Sequence, residues 1–162
     1  FRVSLVVGMA HRPAAIEQII VQGTALGVHA FTFFTAERSG KPARQSEKWA
    51  RWAVESCKQC GRTWVPAVHA AASLAAAWPE AGAVLMARQE APHVPLRAAL
   101  YTADAVSIVV GPEGDFTPAE QAFAQERGAV GISLGARTLR TELAAVTAAT
   151  LALYEGGALG PR

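Results

Sequence analysis

Strand-like and helix-like spacings of apolar residues alternate along the whole chain. Residues 2–7 form a short β-branched run, and 13–26 follow with apolar positions at helical spacing, stopped by Gly27. Residues 30–34 are again a short apolar run, and 45–60 predict a second helix. On that helix Trp49, Ala53, Ser56 and Cys60 make one face, while Arg44, Lys48, Arg51, Glu55, Lys58 and Arg62 recur on the other. Residues 66–68 read as a short strand, and 73–78 as a short helix ended by Pro79. Residues 83–86 and 105–110 are apolar on both faces, as buried strands are, with a short helix over 95–101 between them. Helix 117–127 has a defined start: Thr117 as N-cap, Pro118 at the first helical position and Glu120 completing a capping box. The last strand is 130–134, and helix 141–154 closes the pattern before Gly156 and Gly157.

Strands alternating with helices predict an α/β fold, a mainly parallel sheet with helices on both faces. At 162 residues the chain fits one domain, and no repeat, low-complexity tract or linker divides it. No apolar run is long enough to span a bilayer and no signal peptide is visible, so a cytoplasmic protein without a membrane partner is expected. The chain starts at Phe1, directly in a strand-like run, and a preceding N-terminal portion is expected.

Charge changes the picture through its distribution. Residues 1–62 carry nine Lys/Arg against four Asp/Glu, a net +5, and residues 63–162 carry six against nine, a net −3. Twelve of the fifteen basic residues are Arg, which grips phosphate in a planar fork and stacks on bases. A basic first half suits a polyanionic partner, although a solvated surface carries such stripes as well. Cys57 and Cys60 form a lone CxxC. No second pair exists and His29 and His69 stand at no ligand-like spacing, so buried or incidental thiols are expected rather than a redox centre or a metal site.

Two loops stand at the C-terminal ends of predicted strands, where open α/β sheets hold their ligands. The first is Gly111, Pro112, Glu113, Gly114, Asp115 and Phe116; its backbone can approach a planar polar ligand such as adenine. The second runs from Leu134 through Gly135, Ala136, Arg137, Thr138, Leu139 and Arg140 to Thr141 and Glu142. Singly, each is also what a capped strand-to-helix turn looks like, with Thr138 or Thr141 as cap. Neither matches a dinucleotide fingerprint or a P-loop, and no G-x-S-x-G nucleophile elbow occurs in the chain.

Four motifs taken together are more specific: Glu37-Arg38-Ser39; Gln59-Cys60-Gly61-Arg62 followed by Val65-Pro66; Gly111-Pro112-Glu113-Gly114; and Leu134-Gly135 with Leu139-Arg140-Thr141-Glu142. In these, in their order and over essentially its whole length, the chain resembles the SPOUT class of RNA methyltransferases and within it the RsmE family. The resemblance implies a SPOUT methyltransferase domain over 1–162, with a C-terminal trefoil knot that pattern alone cannot reveal. It implies methylation of uridine N3 in 16S, small-subunit ribosomal RNA from S-adenosylmethionine, by a homodimer. The family's N-terminal PUA-like RNA-binding domain would lie outside this chain. The cofactor would lie among Leu85, Met86 and Ala87; Gly111, Pro112, Glu113 and Gly114; and Leu134, Gly135, Ala136, Leu139 and Arg140. The closing helix carries Ala144, Ala145, Ala148, Ala149 and Ala152, suited to core or to a two-fold interface, and the resemblance favours an interface role.

Uracil N3 holds its proton at neutral pH, so methylation there needs the proton removed or the anion stabilised. Arg140 is assigned to stabilising negative charge on the uracil oxygens, and Glu142 to acting as base or holding Arg140; a purely structural Arg140–Glu142 pair is the alternative. The RNA-facing residues expected are Arg38, Arg44, Lys48, Arg51 and Arg62. The chain departs from the family pattern at Gln22, Ala25, Asp115, Ala136 and Leu143. Gln22 and Ala25 remove two charges from a family motif and favour the competing readings, a paralogue with another RNA target or a non-catalytic RNA-binding protein.

Overall fold

The sheet is wholly parallel, as the near-continuous apolar runs require. The computed structural model describes residues 1–90, 92–100 and 103–159. In chain order the elements are β1 (Arg2–Gly8), α1 (Pro13–Leu26), β2 (Ala30–Phe34), α2 (Glu47–Cys60), β3 (Ala67–Ala71) and β4 (Ala83–Ala87). They continue with α3 (Leu96–Leu100), β5 (Ala105–Val110), α4 (Pro118–Glu126), β6 (Val130–Ile132) and α5 (Thr141–Glu155). The strands lie in the order β3-β2-β1-β5-β4-β6. The chain thus builds outward from β1 through β2 and β3, then crosses over, and β5 inserts between β1 and β4.

Alternation along each strand divides the core into two layers. Val3, Leu5 and Val7 of β1, Phe31 and Phe33 of β2, and Ile108 of β5 face α1, α2 and α5. Val6, Phe34, Met86 and Val109 face the other way, against Phe116 and Ala124 of the α4 region. The expected arrangement of helices on both faces is therefore present. No helix among the described residues is long and apolar enough to cross a membrane.

Several local expectations need correction. Helix α2 begins two residues after the expected start, because Ser46 caps it and Gln45 turns away to β3. There the Gln45 amide donates to the Val68 carbonyl and accepts from Ala70 N–H, both at 2.9 Å, covering part of the exposed edge of the sheet. Strand β3 runs beyond residue 68 to Ala71, since its pairing with β2 continues to Phe34↔Ala71. Residues 73–77 make a single turn, not a helix: Ser73 Oγ accepts from Ala76 N–H, and Leu74 and Ala77 plug the second core layer. A segment that short cannot offset the cost of helix nucleation. Strand β6 stops at Ile132, two residues early, where Ser133 Oγ accepts from Gly135 N–H and turns the chain. The expected end of the third helix at Tyr101 lies outside the described residues.

On α2 the buried residue at the C-terminal end is Cys57, whereas Cys60 is exposed. Ala145, Ala148, Ala149 and Ala152 are fully buried, where their small side chains let α5 lie against α1 and β1. They are core, not an interface. The outward face of α5 carries Leu143, Leu151 and Tyr154, exposed by 52%, 40% and 63%.

Candidate functional site

Strand register brings the functional loops to one level. Val7 and Ala87 both pair with Val110, and Ala87 also pairs with Ile132, so β1, β4, β5 and β6 end together. The loops that leave these ends enclose a cleft of about 300 Å³. Ala87, Arg88 and Gln89 line it from β4, and Val110, Gly111, Pro112, Glu113 and Asp115 from β5 and the loop after it. Leu134, Gly135 and residues 137–140 close the third side, with Thr141 and Ala144 from the first turn of α5. The cleft lies at the C-terminal ends of β5, β4 and β6, the edge of the sheet at which open α/β folds hold ligands.

Of the residues singled out for the cofactor, Ala87, Gly111, Pro112, Glu113, Leu134, Gly135, Leu139 and Arg140 line this cleft. The others do not. Leu85 and Met86 are buried in the two core layers, because they precede the strand end and point to opposite faces. Gly114 packs on Arg38 instead: a Cβ there would stand 2.9 Å from Arg38 Cβ. Ala136 is exposed outside the lining. Arg88, Gln89, Asp115, Arg137 and Thr138 line the cleft without having been singled out for it. Arg137 and Thr138 could have been found from their place inside the second loop, whereas Arg88 follows an apolar strand with no motif around it.

Cross-links between loops hold the cleft open. Thr141 is the first residue of α5 and not its cap; its hydroxyl donates to the Gly111 carbonyl at 3.2 Å, and Arg140 takes the N-cap position with no side-chain cap. Arg38 donates to the Gly114 and Phe116 carbonyls at 3.2 and 3.3 Å, fastening the loop after β2 to the loop after β5. Asp115 is the only non-glycine residue with positive φ among the described residues (φ 59°), a conformation Asp tolerates, and its Oδ1 accepts from Phe116 N–H at 2.8 Å. The β1–α1 turn, which carries no motif of its own, also joins the site. Gly8 lets it approach, since a Cβ there would stand 2.6 Å from Pro112. His11 N–H then donates to Glu113 Oε1 at 3.0 Å, and the Arg12 guanidinium donates to Glu142 Oε1 at 2.6 Å.

That last contact alters the expected catalytic pair. Glu142 is paired with Arg12 rather than Arg140, and Arg140 is exposed with no ion pair among the described residues. The chain separation of 130 residues explains why no local pattern revealed it.

The cationic stripe of α2 is divided along its length. Arg44 and Lys48 flank the helix start on the side of the sheet where the cleft lies, and Arg51 follows one turn later; all are exposed. Lys58 lies about 15 Å beyond Lys48 along the helix, at 1.5 Å per residue, and Arg62 just past its end. Arg62 is half-buried, and its guanidinium donates to the Thr24 and Val28 carbonyls, both at 2.8 Å, while lying over Trp64 at 3.9 Å. Burial lowers its pKa from the ordinary guanidinium value. It ties the end of α1 to the end of α2, so its nitrogens are already engaged. Gln22 and Ala25 are exposed on the last turns of α1, at that same far end and outside the cleft lining. The Cys57 thiol donates weakly to the Trp64 carbonyl, and burial raises its pKa, which keeps it protonated and a poor nucleophile. Among the described residues no three potential ligands gather into a metal site.

A family model for an RNA methyltransferase domain matches residues 1–153. Ribosomal RNA small subunit methyltransferase E of Bacillus subtilis (strain 168) is 32% identical over 156 residues, covering 86% of this chain and 61% of the relative. The protein of the same name from Synechocystis sp. (strain ATCC 27184 / PCC 6803 / Kazusa) is 35% identical over 156 residues, covering 90% and 50%. The chain therefore spans 50–61% of the length of these curated relatives. Among solved structures, a ribosomal RNA small subunit methyltransferase E from Neisseria gonorrhoeae bound to S-adenosyl methionine superposes with a TM-score of 0.86 at 25% identity, covering 95% of this chain and 66% of that one.

Proposed function

The chain belongs to the RNA methyltransferase domain family, and from that premise we propose that it transfers the methyl group of S-adenosylmethionine to N3 of a uridine in small-subunit ribosomal RNA. The observation that carries this reading is the cleft itself: three loops meet at level strand ends around apolar side chains, with Arg137 and Arg140 on one side. Its size is at the lower end of small-molecule sites. Val110, Leu134 and Leu139 would pack against the adenosine, and main-chain groups of the Gly111 and Gly135 loops would meet its polar edges. Arg88 also lines the cleft, with its guanidinium tied to the Pro92 carbonyl at 2.8 Å. When bound, the cofactor supplies an electrophilic methyl group. The protein orients it against the base, and alignment of two reactants lowers a barrier by roughly 7–11 kcal/mol. Arg140, paired with no carboxylate among the described residues, stabilises the negative charge that develops on the uracil oxygens.

The same reading includes the C-terminal trefoil knot, action in the cytoplasm and a homodimer. The exposed Leu143, Leu151 and Tyr154 are the surface a second copy would cover. It also assigns residues 1–162 to one methyltransferase domain, with target choice aided by a PUA-like RNA-binding domain outside them. Mass-spectrometric mapping of small-subunit ribosomal RNA tests the reading. Cells lacking the protein are expected to lose N3-methylation at one uridine, and an unchanged map overturns the assignment.

RNA contact is assigned to Arg38, Arg44, Lys48 and Arg51, with Arg62 shaping the surface from within. Neutralising Lys48 and Arg51 together is expected to weaken RNA binding and flatten its log–log salt dependence by up to about 0.9 per lost phosphate contact. S-adenosylmethionine affinity should hold, because neither residue lines the cleft. An unaltered salt slope would reduce the stripe to a solvated face.

A further inference from the structure

Two neighbouring residues of the β1–α1 turn engage two carboxylates at the cleft, Glu113 in its lining and Glu142 beside it. His11 takes Glu113 through its main-chain N–H, and Arg12 takes Glu142 through its guanidinium at 2.6 Å. The Glu142 side chain is only 13% exposed, whereas that of Arg12 is 54% exposed. Glu142 stands two residues from Arg140, in the first turn of α5, and residues 140 and 141 line the cleft. Left unpaired, Glu142 would be a largely buried anion close to Arg140, where the proposed reaction makes the substrate anionic, and like charges at short range in a partly desolvated site repel strongly.

We propose that Arg12 is a positioning residue for methyl transfer: it cancels the charge of Glu142 and holds that carboxylate away from the cleft, so that Glu142 does not offset Arg140 at the reacting base. The proposal rests on the methyl-transfer reading and narrows it, because it removes Glu142 from the role of general base. The N3 proton then leaves to solvent, the N3 lone pair forms the new N–C bond, and the C–S bond breaks to release a neutral thioether. The one negative charge that appears during this sequence is on the uracil, and Arg140 meets it without competition from Glu142.

The test is a set of variants made in the whole protein and assayed for methyl transfer, for S-adenosylmethionine binding by calorimetry and for thermal unfolding. Arg12→Ala should lower kcat by roughly tenfold or more, since a tenfold rate change reflects only about 1.4 kcal/mol of barrier, while cofactor affinity stays within about threefold. Arg12→Lys should recover part of the loss, because the ammonium still neutralises Glu142 without the planar fork. The decisive variant is Arg12→Ala with Glu142→Gln. Removing the orphaned charge should restore kcat to that of Glu142→Gln alone, even though the ion pair and its contribution to stability are gone. A double variant no faster than Arg12→Ala overturns the role given to Arg12, and so does a loss of rate that tracks the loss of thermal stability. A parent that binds S-adenosylmethionine but methylates no RNA overturns the methyl-transfer reading itself, and the role of Arg12 with it.

Discussion

Exchanging Gly111 for valine is expected to abolish measurable S-adenosylmethionine binding, with a loss of affinity on the order of 100-fold. Gly111 lines the cleft at the end of β5, and its α-carbon lies against Phe116 and Asp115. A Cβ there would stand 3.2 Å from the Phe116 ring and 3.3 Å from Asp115 Oδ1, tighter than ordinary contact. Phe116 is 2% exposed and belongs to the core layer around Phe34, Val109 and Ala124, so it has little room to give. Overpacking of this kind costs about 1–3 kcal/mol. The branches of valine would take up space in the cleft besides. The mechanism is loss of space: Gly111 is not among the residues of positive φ, so no left-handed turn is at stake. Gly111→Ala, with one carbon and no branch, should lose roughly tenfold and serves as the graded control. Calorimetry on variants whose unfolding transition remains cooperative checks the expectation. Binding by Gly111→Val as tight as that of the parent would mean that the cofactor does not use this cleft.

The second large effect belongs to Arg140. Its removal as Arg140→Ala is expected to lower the rate of methyl transfer about 10²–10³-fold, the range for loss of one group that stabilises a developing oxyanion. Cofactor affinity should fall by less than about tenfold, because the backbone of the loop carries the binding surface and the apolar neighbours are untouched. Arg140 caps α5 without a side-chain hydrogen bond, so folding should be little affected. Arg140→Lys keeps the charge but not the planar pair of donors, and should recover only part of the rate. Single-turnover assays at saturating cofactor separate chemistry from binding. An Arg140→Ala enzyme with a normal single-turnover rate would exclude this residue from the reacting centre.

These expectations draw on features that were unequally visible along the chain. The capping box at Thr117 and Glu120 occurs where its residues predict it, with Glu120 N–H donating to Thr117 Oγ1 at 3.2 Å and Thr117 N–H to Glu120 Oε2 at 2.9 Å. The Gly27 stop of α1 is likewise left-handed, as a helix-ending glycine should be. Both are short-range devices, complete within a few residues. The two loops that line the cleft were legible for a similar reason: glycine and proline cluster after apolar strands, and the fold class says which strand ends matter. The cationic face of α2 misled in one respect. Helical periodicity places Arg62 in line with Lys48 and Arg51, but not among the carbonyls of a neighbouring helix end, where it is held. The same periodicity put Cys60 on the buried face, whereas the contact with Trp64 selects Cys57.

What the chain determined by itself, then, is everything that a window of a few to about fifteen residues can hold: the alternation of elements, their starts and stops, the apolar strand faces and the two glycine-bearing loops. Motif order added the family. Tertiary structure alone decided the strand order β3-β2-β1-β5-β4-β6, the level strand ends that bring three loops to one cleft, and the arrival of the β1–α1 turn beside them. It also decided that Glu142 answers Arg12 and leaves Arg140 uncommitted, and that the alanines of α5 are core while Leu143, Leu151 and Tyr154 face outward. The physical reason is the range of the interactions. Caps, turns and periodic faces act between residues close in sequence, whereas strand neighbours and ion pairs across loops form between residues up to 130 positions apart and exist only once the sheet has brought them together.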